Sequence, residues 1–284
     1  MSGLILGVVS NCWAAQLGEA GLEAECRRAA AEGWGYVELR QRALGRAEER
    51  VAGDDRPWPI PDALAALAAA VPGTGLNLAV EAPFLTTVLD PEDPYLLRCA
   101  AAARALSPAD PVLRWVDLSP AATLLDHDEA IDELGGSVAN VARRLAVEGV
   151  RLALENSRQP VAALRAVIRR ASLSLPERVR APELCWDPVN QVMQQLQPED
   201  PCLLAEEVGL GELFMFHFKQ CRDGQVLPDM AEGDVDWARY VRIMRRRGYQ
   251  GPALFEIPPG PDARERLIAG RNVVQQLWDA AGND

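Results

Sequence analysis

The chain alternates short apolar runs with longer segments of helical spacing, and this alternation constrains its fold more than any other feature. Eight apolar runs occur, at residues 4–10, 35–40, 75–82, 112–118, 151–156, 183–188, 213–219 and 253–257. Their near-continuous hydrophobicity is typical of parallel strands that are buried on both faces. Segments such as 62–71, 161–171 and 262–281 repeat apolar residues at helical spacing. The sequence therefore predicts an α/β protein in which each strand is followed by a helix.

A closed barrel is the simplest arrangement of these units. Eight strand–helix units in 284 residues fit a single (β/α)8 TIM barrel, which we predict over residues 1–284. No Ser/Gly-rich linker divides the chain. An open doubly wound sheet is the alternative, but no Gly-x-Gly-x-x-Gly pattern follows the first strand to support a dinucleotide fold. Glycines that include Gly33, Gly149 and Gly248 come just before predicted strands, at positions typical of helix C-caps.

Two of the loops that follow strands are long and polar. Residues 41–60 and 220–235 are rich in Gly or Pro and follow the second and seventh predicted strands. In a barrel they lie on the face where the strands end, which is where barrel active sites are found. We predict that they are either lids over a site or floppy surface loops, and the sequence does not separate these two interpretations.

Charge and cysteine content bear on partners and location. The chain has 29 basic and 41 acidic residues, a formal net charge of −12, whereas nucleic acids and anionic membranes need a basic face. The early apolar run at 4–9 is too short to span a membrane and has no basic segment before it. The six cysteines are scattered without a Cys-x-x-Cys pair, which indicates reduced, buried thiols. We predict a cytoplasmic protein that acts on a small molecule, has no nucleic-acid or membrane partner, and forms either a monomer or a homo-oligomer.

Four successive strands in the second half end with residue types that bind metals. They are Glu155, Asp187, His217 and Glu256. An ionised residue after a strand often marks only the point where the chain reaches solvent, but four neighbouring strand ends of this kind converge on one barrel mouth. Crowded carboxylates repel each other unless a cation lies among them. Three carboxylates and one imidazole form an oxygen-rich site that suits one Mn²⁺, Mg²⁺ or Co²⁺ ion, with Zn²⁺ as an alternative.

These strand ends form a pattern that resembles the xylose isomerase-like barrels over nearly the whole chain. The pattern consists of Glu-Asn at 155–156, Asp-Pro-x-Asn at 187–190, His-x-Lys at 217–219, Gly-Asp-x-Asp-Trp at 233–237 and Phe-Glu-Ile at 255–257. The resemblance implies that Glu155, Asp187, His217 and Glu256 bind the metal and that Glu155 and Glu256 also serve as the catalytic acid/base pair. It implies a metal-dependent isomerase or epimerase of a sugar or small hydroxy-carbonyl compound, which works by proton abstraction and enediolate stabilisation.

Two alternatives stay open at this point. A dehydratase on the same site would begin with the same proton abstraction, and a metal-free barrel could bind a metabolite without turning it over. Many relatives carry His three residues after the aspartate, where this chain has Asn190, an amide that cannot shuttle a proton. The endonuclease branch needs several histidines, whereas this chain has only His127 and His217, so nuclease activity is not expected.

Lys219 is the only lysine of the chain. Strand side chains alternate, so Lys219 points to the same side as His217, one step further out, where it either contacts the substrate or balances the carboxylates. Asn190 is a second candidate for substrate binding. The weaker candidates are Glu38 at a strand end, Trp13 in the first loop and Arg222 in the long loop after Lys219. Trp186 alternates with Asp187 and is expected to face the helix layer.

Overall fold

The computed structural model describes residues 4–119, 128–157, 159–193, 200–230 and 232–282, apart from the side chains of 18–20 and 128. Eight parallel strands close into one barrel, and each pairs with its neighbours in sequence until the last returns to the first. The strands are β1 (Ile5–Val9), β2 (Tyr36–Arg40), β3 (Gly75–Glu81), β4 (Val112–Val116), β5 (Arg151–Glu155), β6 (Glu183–Trp186), β7 (Leu213–Phe218) and β8 (Pro252–Phe255). The predicted (β/α)8 barrel is confirmed, and the open doubly wound sheet is excluded.

Helices follow the strands and cover the outside of the barrel. In the described part of the chain they are α1 (Leu17–Ala31), α2 (Pro61–Ala70), α3 (Pro94–Leu106), α4 (Asp128–Val147), α5 (Val161–Leu173), α6 (Pro188–Met193), α7 (Pro201–Glu207), α8 (Trp237–Arg246) and α9 (Ala263–Ala280). The predicted glycine caps are confirmed at Gly33, Gly149 and Gly248, whose φ angles are 83°, 71° and 78°. Only a residue without a Cβ adopts this left-handed backbone at little cost.

Side-chain alternation divides the core into two layers. In β5, Leu152 and Leu154 pack into the large cluster between strands and helices, whereas Ala153 belongs to a small second cluster. That small cluster also contains Cys185, whose neighbours Leu184 and Trp186 belong to the large cluster, so the small cluster fills the interior of the barrel. Glu155 comes two residues after Ala153 and therefore points to the same interior side. This periodicity aims polar strand-end residues into the barrel mouth.

Both long loops contain local structure that the sequence interpretation missed. The strands Glu48–Arg50 and Pro57–Pro59 pair antiparallel in the first loop, and Gln220–Arg222 pairs with Gln225–Leu227 in the second. The second pair turns at Asp223 and Gly224, whose φ angles are 51° and 73°. An Asp-Gly pair with two positive φ angles is the signature of a two-residue hairpin turn. Each long loop therefore contains a short two-stranded antiparallel sheet, which the sequence interpretation did not predict.

All six cysteines are buried and none forms a disulfide. Among the described residues, no helix combines the length and the apolar character that crossing a bilayer requires. Burial raises the pKa of the Cys12 thiol to about 12, so it stays protonated as a small core residue.

Candidate metal centre

The four residues that end β5 to β8 meet at one point in the barrel mouth. One ligand atom from each of Glu155, Asp187, His217 and Glu256 can be chosen so that all lie within 4.8 Å of one another. All four residues are buried. The parallel register of the strands places each of these positions at the same end of the barrel, and alternation turns each side chain inward.

His217 presents one ring nitrogen to the three carboxylates. Its Nδ1 lies 3.3 Å from Glu155 Oε1, 3.6 Å from Glu256 Oε2 and 3.9 Å from Asp187 Oδ2. This buried nitrogen makes no hydrogen bond to any described residue. An unsatisfied buried polar atom costs about 1 to 3 kcal/mol, so the arrangement is incomplete without a further partner. This nitrogen and the three carboxylate oxygens together form a donor set that fits a divalent cation.

The other ring nitrogen of His217 faces deeper into the barrel. His217 Nε2 lies 3.6 Å from Cys185 Sγ and 3.7 Å from Glu38 Oε1. Burial lowers the pKa of His217, but Cys185 and the surrounding carboxylates outweigh it and raise that pKa well above the ordinary value. A cation bound at Nδ1 would require that nitrogen to be free of its proton.

Lys219 contacts two of the four candidate ligands. Its Nζ lies 2.5 Å from Asp187 Oδ2 and 3.0 Å from Glu256 Oε2. Burial lowers the pKa of Lys219, but Asp187 and Glu256 more than compensate, and the net shift is upward. The ammonium is therefore a buried counter-ion against the carboxylates. The sequence placed Lys219 one step further out than His217, but its Nζ lies in direct contact with two of the candidate ligands.

An open cavity of about 540 Å³ lies directly over the centre. Its polar lining includes Asn11, Arg40, Glu155, Asn190, Lys219 and Glu256. Its apolar lining includes Val116, Met193 and Ile257. Two of the candidate ligands therefore border the space in which a small molecule can bind.

Glu256 is oriented by residues that the sequence did not single out. Its Oε1 accepts hydrogen bonds from Arg40 Nη1 at 2.6 Å and from Asn11 Nδ2 at 3.2 Å. Burial raises the pKa of Glu256, but Lys219, Arg40 and His217 together lower it well below the usual range. The carboxylate is therefore ionised at neutral pH, with Oε2 turned towards His217.

A fully buried arginine, Arg114 of β4, lies beneath the centre and was also missed. Its guanidinium pairs with Glu155 Oε2 and with both carboxylate oxygens of Glu38. Asn77 Nδ2 donates a further hydrogen bond of 2.9 Å to Glu38 Oε2. A charged residue inside the otherwise apolar run at 112–116 was the sequence signal that could have found Arg114.

The structure places the other sequence candidates as follows. Asn190 lines the cavity, donates its backbone N–H to Asp187 Oδ1 at 2.9 Å, and donates Nδ2–H to the Asn156 carbonyl at 3.0 Å.

The other three candidates do not line the cavity. Glu38 is buried beside Arg114, below the cavity. Trp13 is buried in the core, and Arg222 is exposed with its guanidinium against the Glu232 carbonyl. Substrate contact by these last three residues stays a prediction that their positions do not support.

Two remaining expectations concern Trp186 and His127. Trp186 is fully buried against Tyr240 of α8, with ring centroids 5.3 Å apart, which confirms that it faces the helix layer. His127 lies outside the described residues.

Comparison with known families agrees with this architecture. Residues 26–273 match the family model described as xylose isomerase-like TIM barrel. The chain belongs to this family, and the resemblance predicted from its strand-end motifs is confirmed. No curated protein matches the sequence significantly.

Solved structures share the fold at low sequence identity. A structure titled L-ribulose 3-epimerase is 16% identical with a TM-score of 0.70, over 99% of this chain and 96% of that one. A probable 3-DHS dehydratase involved in petrobactin synthesis, from Bacillus anthracis, is 11% identical with a TM-score of 0.70, over 95% and 98%. A xylose isomerase-like TIM barrel protein from Mycobacterium smegmatis, in complex with magnesium, is 17% identical with a TM-score of 0.60, over 91% and 88%.

Proposed function

We propose that the protein is a divalent-metal-dependent isomerase or epimerase of a small hydroxy-carbonyl compound such as a sugar. The observation that carries the proposal is the convergence of Glu155, Asp187, His217 and Glu256 around the unpaired nitrogen of His217, beneath an open cavity. A cation bound there would polarise the substrate carbonyl and make the neighbouring C–H bond more acidic. The oxygen-rich donor set favours Mn²⁺, Mg²⁺ or Co²⁺, and the magnesium complex of a relative is consistent with this.

Glu155 and Glu256 are the proposed acid/base pair. Each has one oxygen held by an arginine, Glu155 Oε2 by Arg114 and Glu256 Oε1 by Arg40. Each therefore keeps a fixed orientation and leaves its second oxygen towards the centre and the cavity. In this scheme one carboxylate removes the proton on the carbon next to the carbonyl, and the bonding pair moves onto the carbonyl oxygen. The other returns a proton to the opposite face, which gives the epimer. For the isomer, the proton goes to the former carbonyl carbon, and the hydroxyl proton on the deprotonated carbon moves to the former carbonyl oxygen.

A dehydratase is the second candidate, because it needs the same first step. The similarity of the fold to that of a probable dehydratase is consistent with this second candidate function. A metabolite-binding barrel without a metal is less well supported, because it leaves His217 Nδ1 buried without a partner.

Solvent exchange tests the proposed function directly. The Mn²⁺-loaded protein is incubated in D₂O with a panel of ketoses, aldoses and short hydroxy-ketones, and NMR follows deuterium at the carbon next to the carbonyl. We expect exchange with at least one compound, together with its epimer or isomer. Exchange followed by loss of water would favour the dehydratase, and tight binding without exchange would favour the binding barrel.

Divalent metal should stabilise the fold measurably. We expect Mn²⁺ at about 100 times its dissociation constant to raise the thermal midpoint by roughly 5 °C, since binding at that excess adds about 2.7 kcal/mol. EDTA should reverse the rise. Asp187→Asn removes a candidate ligand and should abolish most of the effect, whereas Asp110→Asn at the exposed, opposite end of the barrel should keep it. An equal rise in wild type and Asp187→Asn would contradict the assigned site.

Lys219→Arg should lower kcat/KM by about 100-fold, since misplacing reacting atoms by about 1 Å has an effect of that order. The ammonium already lies 2.5 Å from Asp187 Oδ2 and 3.0 Å from Glu256 Oε2, so the longer, planar guanidinium has to displace those carboxylates or enter the cavity. Steady-state kinetics at saturating metal measures the effect. A ratio to wild type near one would leave charge balance as the whole role of Lys219.

A further inference from the structure

Arg40 is the most exposed of the three cations at the site. It ends β2, lines the cavity, and its side chain keeps 21% of its surface exposed. Lys219 is only 9% exposed and contacts two carboxylates, and Arg114 is fully buried between two others. Of these three cations, Arg40 is therefore the most accessible to a bound molecule.

The guanidinium of Arg40 has donors to spare. One N–H, on Nη1, donates to Glu256 Oε1 at 2.6 Å, and no other hydrogen bond joins this side chain to the residues that the structure describes. A guanidinium carries five N–H donors in a planar fork that matches the two oxygens of a carboxylate. Its contact with Glu256 fixes one side of the fork and leaves the rest for a ligand.

The formal charges of the site point in the same direction. The charged side chains that belong to the centre or form ion pairs with it are four carboxylates and three cations, namely Glu38, Glu155, Asp187, Glu256, Arg40, Arg114 and Lys219. The formal charges of these seven side chains add up to one negative charge. A bound divalent cation, with His217 neutral, would change the total to one positive charge. A substrate with a single negative charge would neutralise this buried set, whereas a neutral sugar would leave it unbalanced.

We propose that Arg40 binds a carboxylate of the substrate, so that the substrate is a compact hydroxy-oxo acid. This inference rests on the proposed function and narrows its substrate class. Because Arg40 Nη1 lies 2.6 Å from an oxygen of the candidate ligand Glu256, a carboxylate bound to Arg40 would lie close to the metal centre, and a compact molecule would suffice to reach both.

A matched pair of probes tests the carboxylate. Hydroxypyruvate and dihydroxyacetone share the hydroxy-ketone half and differ in whether a carboxylate or a hydroxymethyl group completes the molecule. Isothermal titration of the Mn²⁺-loaded protein should give at least about 10-fold tighter binding of hydroxypyruvate, as expected for a charge-assisted bidentate pair. Arg40→Gln should remove most of this preference, and Arg40→Lys, which keeps the charge without the fork, should retain part of it.

The controls separate a local loss from general damage. Arg42→Gln, two residues away and paired with Glu81, should keep the wild-type preference. Because Arg40 also holds the candidate ligand Glu256, Arg40→Gln is first saturated with Mn²⁺, checked by its thermal response, so that both probes are compared with the metal bound. Equal binding of the two probes by wild type, or an equal loss of both in Arg40→Gln, would overturn the proposal.

A third probe distinguishes the kind of anion. Dihydroxyacetone phosphate carries a phosphate on the same hydroxy-ketone. If the wild-type protein binds it more tightly than hydroxypyruvate, and Arg40→Gln loses this difference, the anion bound by Arg40 is a phosphate ester and the carboxylate assignment is overturned. Failure of the proposed function looks different. It would appear as no Mn²⁺ response or no proton exchange with any compound, whereas failure of this inference leaves both in place and removes only the preference for the acid.

Discussion

Arg114→Met should lower the free energy of unfolding by about 3 to 5 kcal/mol, because removing one partner of a buried ion pair leaves uncompensated charge in the interior. Arg114 is fully buried and is an ion-pair partner of both Glu38 and Glu155. Methionine keeps the length of the side chain but supplies neither charge nor N–H donor. Urea denaturation of the purified protein measures the change, as a shift of the midpoint at unchanged slope.

Two further variants isolate the cause. Arg104→Met removes an exposed arginine that pairs with Glu148, and it should change stability little because solvent already screens that pair. Glu38→Gln combined with Arg114→Met should recover part of the loss, because it removes one of the two carboxylates left without a partner. If Arg114→Met is as stable as wild type, the buried arginine does not compensate these charges.

Glu256→Gln should reduce exchange of the substrate proton by about 100- to 10,000-fold, the usual contribution of a positioned general acid or base. The amide keeps an oxygen that can contact a metal, but it has lost the basic carboxylate. It also turns an NH₂ group towards either Lys219 or Arg40, both of which are donors, so weaker metal binding should accompany the loss. Deuterium incorporation in D₂O at saturating Mn²⁺ measures the rate.

The matched control for this variant is Glu81→Gln. Glu81 is the last residue of β3 and pairs with Arg42 at 3.4 Å, outside the residues that line the cavity, so exchange should proceed at the wild-type rate. Wild-type exchange by Glu256→Gln would remove Glu256 from the acid/base pair. A loss in both variants would indicate a general effect of removing a strand-end carboxylate.

Local patterns were sufficient to predict the barrel. Each strand is a mostly apolar run of four to seven residues, and each helix repeats apolar residues at helical spacing, so both can be recognised in short windows of sequence. The hairpin in the second long loop also had a local signal, the Asp-Gly pair at 223–224, although the sequence analysis did not predict this hairpin. Arg114 could likewise be recognised as a charged residue within an apolar strand, but the sequence does not indicate that it pairs with Glu38 and Glu155.

The sequence by itself determined the (β/α)8 barrel and the position of four metal-binding residue types at successive strand ends. Parallel strands share a direction and side chains alternate, so their convergence follows once the barrel closes. Only the tertiary structure decided which charges meet. Arg40 and Glu256 are 216 residues apart, and Arg114 is 76 and 41 residues from Glu38 and Glu155. Such pairs depend on barrel closure, strand register and the rotamer of each side chain, and these are set by packing across the whole molecule, which no short window of sequence contains.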